Sequence, residues 1–92
     1  MEQLIKRSYE SIKARGLIEK DTPRASFEAK ILEEFTELME AFIFNDSIAI
    51  RNESTDLINT LLNFQYHHGI DSEKELIKCI EKQEKRAKDN KF

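Results

Sequence analysis

An all-α fold of about four helices is what this sequence predicts, and three observations lead there. Gly is 2 and Pro is 1 in 92 residues, while charged residues make up 36%. Chains rich in Glu, Lys, Leu and Ile with so few turn formers favour helix, and the hairpin signals that a sheet requires are missing. Apolar residues also recur at helical spacing in four stretches, divided by Gly16, by Asn45-Asp46-Ser47 and by His68-Gly69. At this length one domain, residues 1–92, is expected. So short a chain buries a modest share of its surface, so the bundle is expected to be completed by dimerisation or tetramerisation.

The first helix is expected over 2–15, on a stripe of Leu4, Ile5, Tyr9 and Ile12, with Gly16 ending it. Thr22-Pro23 reads as an N-cap followed by Pro at the first helical position. The second helix is then predicted from about Pro23 to Phe44, with Phe27, Ile31, Phe35, Leu38 and Phe42 as its apolar stripe. Asp46 or Ser47 caps the third, expected from about Ile48 to His67. Ile50, Leu57, Leu61 and Phe64 form its stripe, while Ile58 and Leu62 lie elsewhere, so two partners are expected. Ser72 and Glu75 stand at capping-box spacing for a fourth helix, about Ser72 to Lys88. Leu76, Ile77 and Ile80 would face inward there, and Asp89 to Phe92 are expected to fray.

Composition narrows the function. The net charge of -3 leaves no basic face over the whole domain, so no nucleic-acid partner is expected. Cys79 stands alone, which excludes an internal disulfide and fits a reducing cytoplasm. Met1 to Gly16 is charged and lacks a signal peptide's apolar core. No apolar run approaches the ~20 residues of a membrane span. A cytoplasmic protein without a membrane partner is the expectation.

The acids carry the chemistry. Glu34 and Glu37 are three apart, as are Glu53 and Asp56, so each pair projects to one side of a helix. Glu34 falls inside the apolar stripe of its helix and Glu37 at the edge; Glu53 lies within the next stripe and Asp56 borders it. Burying a carboxylate costs several kcal/mol unless positive charge compensates. Four acids converging from two helices therefore call for a divalent metal. Mg²⁺ takes hard oxygen ligands, few carboxylates per ion, and completes its shell with water and phosphate oxygens. So many carboxylates suit a pair or cluster of ions holding a polyphosphate. Lys78, Lys82 and Arg86 make a row on the last helix suited to phosphate contact.

Each of these residues also has a plainer reading. The acids would pair with Lys30 or Arg51, and Glu40 would be solvated. The Lys/Arg row would be a solubilising face, His67 and His68 cations at a helix C-terminus, and Cys79 a small packing residue. Glu33 lies on the flank beside Glu34, as an outer group or a base for water. Phe44, beside the break, is placed to stack on a base.

Glu33-Glu34-x-x-Glu37, fifteen residues, then Glu53-x-x-Asp56 resembles the signature of the MazG-like all-α nucleoside triphosphate pyrophosphohydrolases. Lys30-Ile31-Leu32 before it, Gly69-Ile70-Asp71 and the Lys82/Arg86 ending add to the resemblance, which covers roughly 24–88. It implies Mg²⁺-dependent hydrolysis of the α–β bond of (d)NTPs, releasing pyrophosphate, in a house-cleaning role, by a dimer or tetramer; Mn²⁺ is an expected substitute. Carried over, Glu34, Glu37, Glu53 and Asp56 are metal ligands, with Glu34 also counted as catalytic. Glu33 assists the attacking water, and Lys82 and Arg86, with Lys78, meet phosphates. Gln83 stands where many members have Asn, and the chain has no Trp, which leaves Phe44 as the base-stacking candidate. Two alternatives stand beside this reading. One is a phosphoribosyl-ATP pyrophosphohydrolase, ranked second because its expected Gly before the first acids and Tyr-His after the Asp are missing. The other is a non-catalytic helical interaction module.

Overall fold

The computed structural model describes residues 1–89 and contains four helices: α1 Glu2–Ala14, α2 Arg24–Ile43, α3 Ser47–His67 and α4 Ser72–Lys88. No strand occurs among the described residues. The expected fraying of the last residues lies, beyond Asp89, outside them.

All three breaks close the same way. Each helix ends with the N–H two positions past its C-cap reaching five residues back: Leu17 to the Ile12 carbonyl, Asp46 to Ala41 and Ile70 to Gln65. This closure needs a left-handed residue just beyond the helix. Gly16 and Gly69 take it at φ 74° and 70°, free of a Cβ penalty. Asn45 takes it at φ 51°, as Asn does more readily than most side chains.

The starts differ in detail from expectation. Asp46 caps α3, its Oδ1 accepting from the N–H groups of Ile48 and Ala49. Pro23, not Thr22, is the N-cap of α2, because the Thr22 hydroxyl instead accepts from the Glu19 N–H. Asp71, not Ser72, caps α4 by accepting from Lys74, so no Ser72–Glu75 capping box forms. Ser72 is pulled inward, its hydroxyl buried without a partner.

α3 is the central element, with α2 packed antiparallel along it, α1 also packed on it and α4 touching it most lightly. Tyr9 joins α1 to α3 through Tyr66, ring centroids 4.8 Å apart, and by a hydrogen bond to His67 Nδ1 of 2.8 Å. Phe27 of α2 meets Phe64 edge-on at 5.9 Å. Ile18, from the α1–α2 connection, closes this core.

Which sides face inward is the main departure from the periodic pattern. On α2 the buried line is Phe27, Glu34 and Ala41. Phe35 and Phe42, one position away, remain half-exposed at 49% and 50%. α3 turns a mixed side to its neighbours: Asn63 is buried, Glu53, Thr60 and His67 are partly so, and Ile50, Leu57 and Phe64 of the expected stripe are partly buried with them, while Leu61 and Ile58 are exposed. Leu76, Ile77 and Ile80 of α4 and the Cys79 thiol, expected to pack, are exposed in the protomer. The apolar stripes are real, but one protomer does not cover them.

Candidate active site

Antiparallel packing of α2 on α3 brings Glu37 opposite Glu53. Carboxylate oxygens of Glu34, Glu37 and Glu53 lie within 4.8 Å of one another. Glu34 is 7% exposed, and its Oε2, like the Oε2 of Glu53, is buried with no hydrogen-bond partner. Buried oxygens of this kind are costly unless something binds them.

One cation is already present. The Lys30 Nζ, one turn before Glu34, lies 3.0 Å from Glu34 Oε1 and 3.4 Å from Glu33 Oε1. The hydrogen bond to Glu34 raises the Lys30 ammonium pKa above its ordinary value, against the opposing effect of burial. A single ammonium does not match three carboxylates. The residual repulsion appears on Glu37, whose pKa is raised first by a hydrogen bond with Glu53 and next by the charge of Glu34. Close hard oxygens, two of them without partners, fit a divalent cation.

The other sequence-predicted residues are placed less closely. Asp56, three residues beyond Glu53, is exposed and outside the clustered set. Glu33 is exposed on the flank, held by Lys30. Glu40 and Phe44 line an open groove of about 290 Å³ that adjoins the acids, with Asp46 beside them, and Phe44 is 80% exposed. Lys78 pairs with Glu75 on its own helix at 3.3 Å, and Lys82 and Arg86 are exposed on α4. No ion pair joins this row to the acids among the described residues.

Two features escaped sequence reasoning. His67 is not a free cation at a helix end; its Nδ1 bonds the Tyr9 hydroxyl and its Nε2 lies 3.0 Å from the Thr22 carbonyl oxygen. Only an N–H can meet that carbonyl, so Nε2 carries a proton, while the Tyr9 hydroxyl bonds Nδ1 on the other side of the ring. Asn63 is 2% exposed, its Nδ2 donating to Ser8 Oγ at 3.3 Å. A polar residue recurring on the Glu53 side of α3 was the available signal for both.

A helical protein whose central helix pair gathers carboxylates, two of their oxygens buried without partners, has the kind of acidic cluster from which metal sites between facing helices are built. The particular family follows from comparison: the family model described as phosphoribosyl-ATP pyrophosphohydrolase matches residues 2–85. The chain belongs to this family, part of the MazG-like all-α pyrophosphohydrolase superfamily, and is an enzyme, a hydrolase acting on acid anhydrides. The family matched is the one ranked second from sequence. No curated protein and no solved structure matches the chain. No helix among the described residues is long and apolar enough to cross a membrane.

Proposed function

We propose that this protein is a Mg²⁺-dependent pyrophosphohydrolase that cuts the α–β phosphoanhydride of a nucleoside triphosphate, leaving the monophosphate and pyrophosphate. The observation that carries the reading is the Glu34, Glu37 and Glu53 cluster with its two buried, unpartnered oxygens. Asp56, on the same helix as Glu53 and one turn along, completes the ligand set. When bound, the metal neutralises charge on the phosphates and activates water. Glu33 would take the proton of the attacking water, and its contact with Lys30 holds the carboxylate in place. Glu34 divides its two oxygens, one toward Lys30 and one free for the ion.

A homo-oligomer, dimer or tetramer, completes the enzyme. Support comes from the exposure of Phe35, Met39 and Phe42 on α2 and of Ile58 on α3, since exposed apolar patches often mark interfaces. A second copy also offers a way for Lys78, Lys82 and Arg86 to reach phosphates that their own acids hold.

Phosphoribosyl-ATP is the second substrate reading, favoured by the family match. It presents the same triphosphate, so the same acids serve. The test is incubation of purified protein with Mg²⁺ and a panel of (d)NTPs and phosphoribosyl-ATP, assaying pyrophosphate and orthophosphate separately. Pyrophosphate release, abolished by Glu34→Gln, is expected. Orthophosphate as the product, or full activity in Glu34→Gln, refutes the reading.

A further inference from the structure

The acids on the seam between α2 and α3 have one cation of their own, and it serves them unevenly. The Lys30 Nζ lies 3.0 Å from Glu34 Oε1 and 3.4 Å from Glu33 Oε1. Glu34 Oε2 is buried and has no partner. One oxygen of Glu34 is therefore committed to an ammonium while the other is free. With its side chain only 9% exposed, Glu34 has little room to turn and exchange the two. Among the described residues no other Lys or Arg pairs with Glu34, Glu37 or Glu53.

Two local features keep Lys30 in place. It precedes Glu33 and Glu34 by three and four residues, the spacing at which side chains meet on a helix. It also lines a cavity of about 280 Å³ together with Ile12, Ile18 and Phe27. A lysine beside apolar surface covers it with its carbon stem and carries its ammonium to a polar edge. Here the ammonium reaches Glu34.

The committed oxygen matters because divalent cations differ in how they use a carboxylate. Ca²⁺ gathers about 6–8 oxygens and readily takes both from one carboxylate. Mg²⁺ demands a near-ideal octahedron, takes one or two carboxylates and keeps several waters. A second oxygen from Glu34 is available only if Lys30 gives up its bond, which leaves an ammonium unpaired beside the ion. Glu33, held by the same ammonium, is likewise withheld as an extra ligand. Mg²⁺ can do without both oxygens, and Ca²⁺ is the ion that would use them. Specificity is a difference of affinities, and an obstacle set against one ligand supplies it as well as an attraction to the other does.

We propose that Lys30 determines which cation the site takes: by occupying Glu34 Oε1 and restraining Glu33, it makes the acids accept Mg²⁺ and discriminate against Ca²⁺. The inference rests on the metal-dependent pyrophosphohydrolase reading and adds to it the selection of the ion. Lys30 acts through the two acids and is a positioning residue.

The experiment measures the Kd of Mg²⁺ and of Ca²⁺ on the purified full chain by calorimetry, without nucleotide and without turnover. In the wild type Ca²⁺ is expected to bind no more tightly than Mg²⁺. A wild-type Kd for Ca²⁺ about tenfold or more below that for Mg²⁺ overturns the inference, and this arm needs no variant. Lys30→Met keeps an unbranched stem and drops the charge; there the Kd for Ca²⁺ should fall about tenfold or more relative to that for Mg²⁺. Lys30→Arg retains a cationic donor to Glu34 and should keep the wild-type ratio; a ratio as low as that of Lys30→Met overturns the inference. The ratio separates position from charge. Removing a positive charge near two ions of equal charge tightens both alike, so an unchanged ratio in Lys30→Met, whatever the change in each Kd, overturns the inference as well. Binding of neither cation to the wild type refutes the metal site of the preceding section, and this inference with it. Binding of both with a ratio that ignores Lys30 overturns this inference alone.

Discussion

At the end of the α2–α3 seam nearest α1, Phe27 meets Phe64 edge-on at 5.9 Å and stacks obliquely on His67 at 4.7 Å. Two turns along α2, the same pair of helices places Glu34 against Glu37 and Glu53, leaving two buried oxygens unpartnered. The first contact removes apolar surface from water and matches its polar groups. The second does neither. Both lie on one continuous interface, so the helices' association must be supplied by the aromatic end and endured at the acidic one. Residues that destabilise a fold persist where they serve something else, and at the acidic end that service is cation binding.

The comparison breaks most visibly at the aromatic end. Phe27→Ala removes a ring that is only 5% exposed. A loss of about 3–5 kcal/mol is expected, a large part of the stability of a domain this size. Urea denaturation measures it. A loss below about 1 kcal/mol would mean that the aromatic cluster is not what holds α2 on α3.

At the acidic end the effect should appear in activity and in metal response. Glu34→Gln should lower pyrophosphate release by about 100-fold or more, since losing a ligand costs at least what losing its support does. Mg²⁺ at 100 times its Kd should stabilise the wild type by about 2.7 kcal/mol, and Glu34→Gln should abolish most of that gain. Thermal melts with Mg²⁺ and with EDTA read this directly. Identical melts for the wild type would assign the acids a structural role.

pH sharpens the same contrast. Glu37 holds its proton more tightly when folded, because of Glu53 and the nearby charge of Glu34, so its pKa lies above the ordinary 4.5. A raised folded-state pKa means that the protonated form favours the fold. Metal-free protein should therefore lose stability as pH rises from 4.5 through the raised value, and Glu37→Gln should flatten that slope. Melting temperatures collected across pH 4 to 7 in EDTA test it; a wild-type slope unchanged in the variant would place the repulsion elsewhere.

The four helices were legible because their ends are chemical. Gly16, Gly69 and Asn45 fall where left-handed residues close the helices, and Asp46 caps where an Asx residue should. The acids were legible because Glu34 and Glu53 interrupt apolar arcs, and both are at least partly buried. The facing of α3 was legible only in part: Ile50, Leu57 and Phe64 are partly buried as their stripe predicts, but Leu61 is exposed. Periodicity marks where apolar side chains line up, but not which neighbour covers them. Phe35, Phe42 and Leu61 line up and stay open in the protomer, whereas Asn63 and His67 are covered. Polar residues become core when other elements meet their hydrogen bonds, and Ser8, Tyr9 and Thr22 come from distant sequence. Local reading cannot anticipate such partners. Lys30 shows the converse: its pairing with Glu34 is helical spacing alone and was readable at once.

The smallest effect expected separates the two ends most cleanly. Tyr9→Phe keeps the ring against Tyr66 and removes only the hydroxyl that is hydrogen-bonded to His67 Nδ1. The imidazole retains its bond from Nε2 to the Thr22 carbonyl, so its orientation survives. A loss of about 1 kcal/mol is expected for one part-buried hydrogen bond, read by denaturation. Because this bond ties α1 to the aromatic end and touches none of the acids, the Mg²⁺-induced rise in melting temperature should be unchanged. An altered Mg²⁺ response in Tyr9→Phe would show that the two ends are coupled through α3, and the division of the seam into a supporting and a metal-binding half would fail.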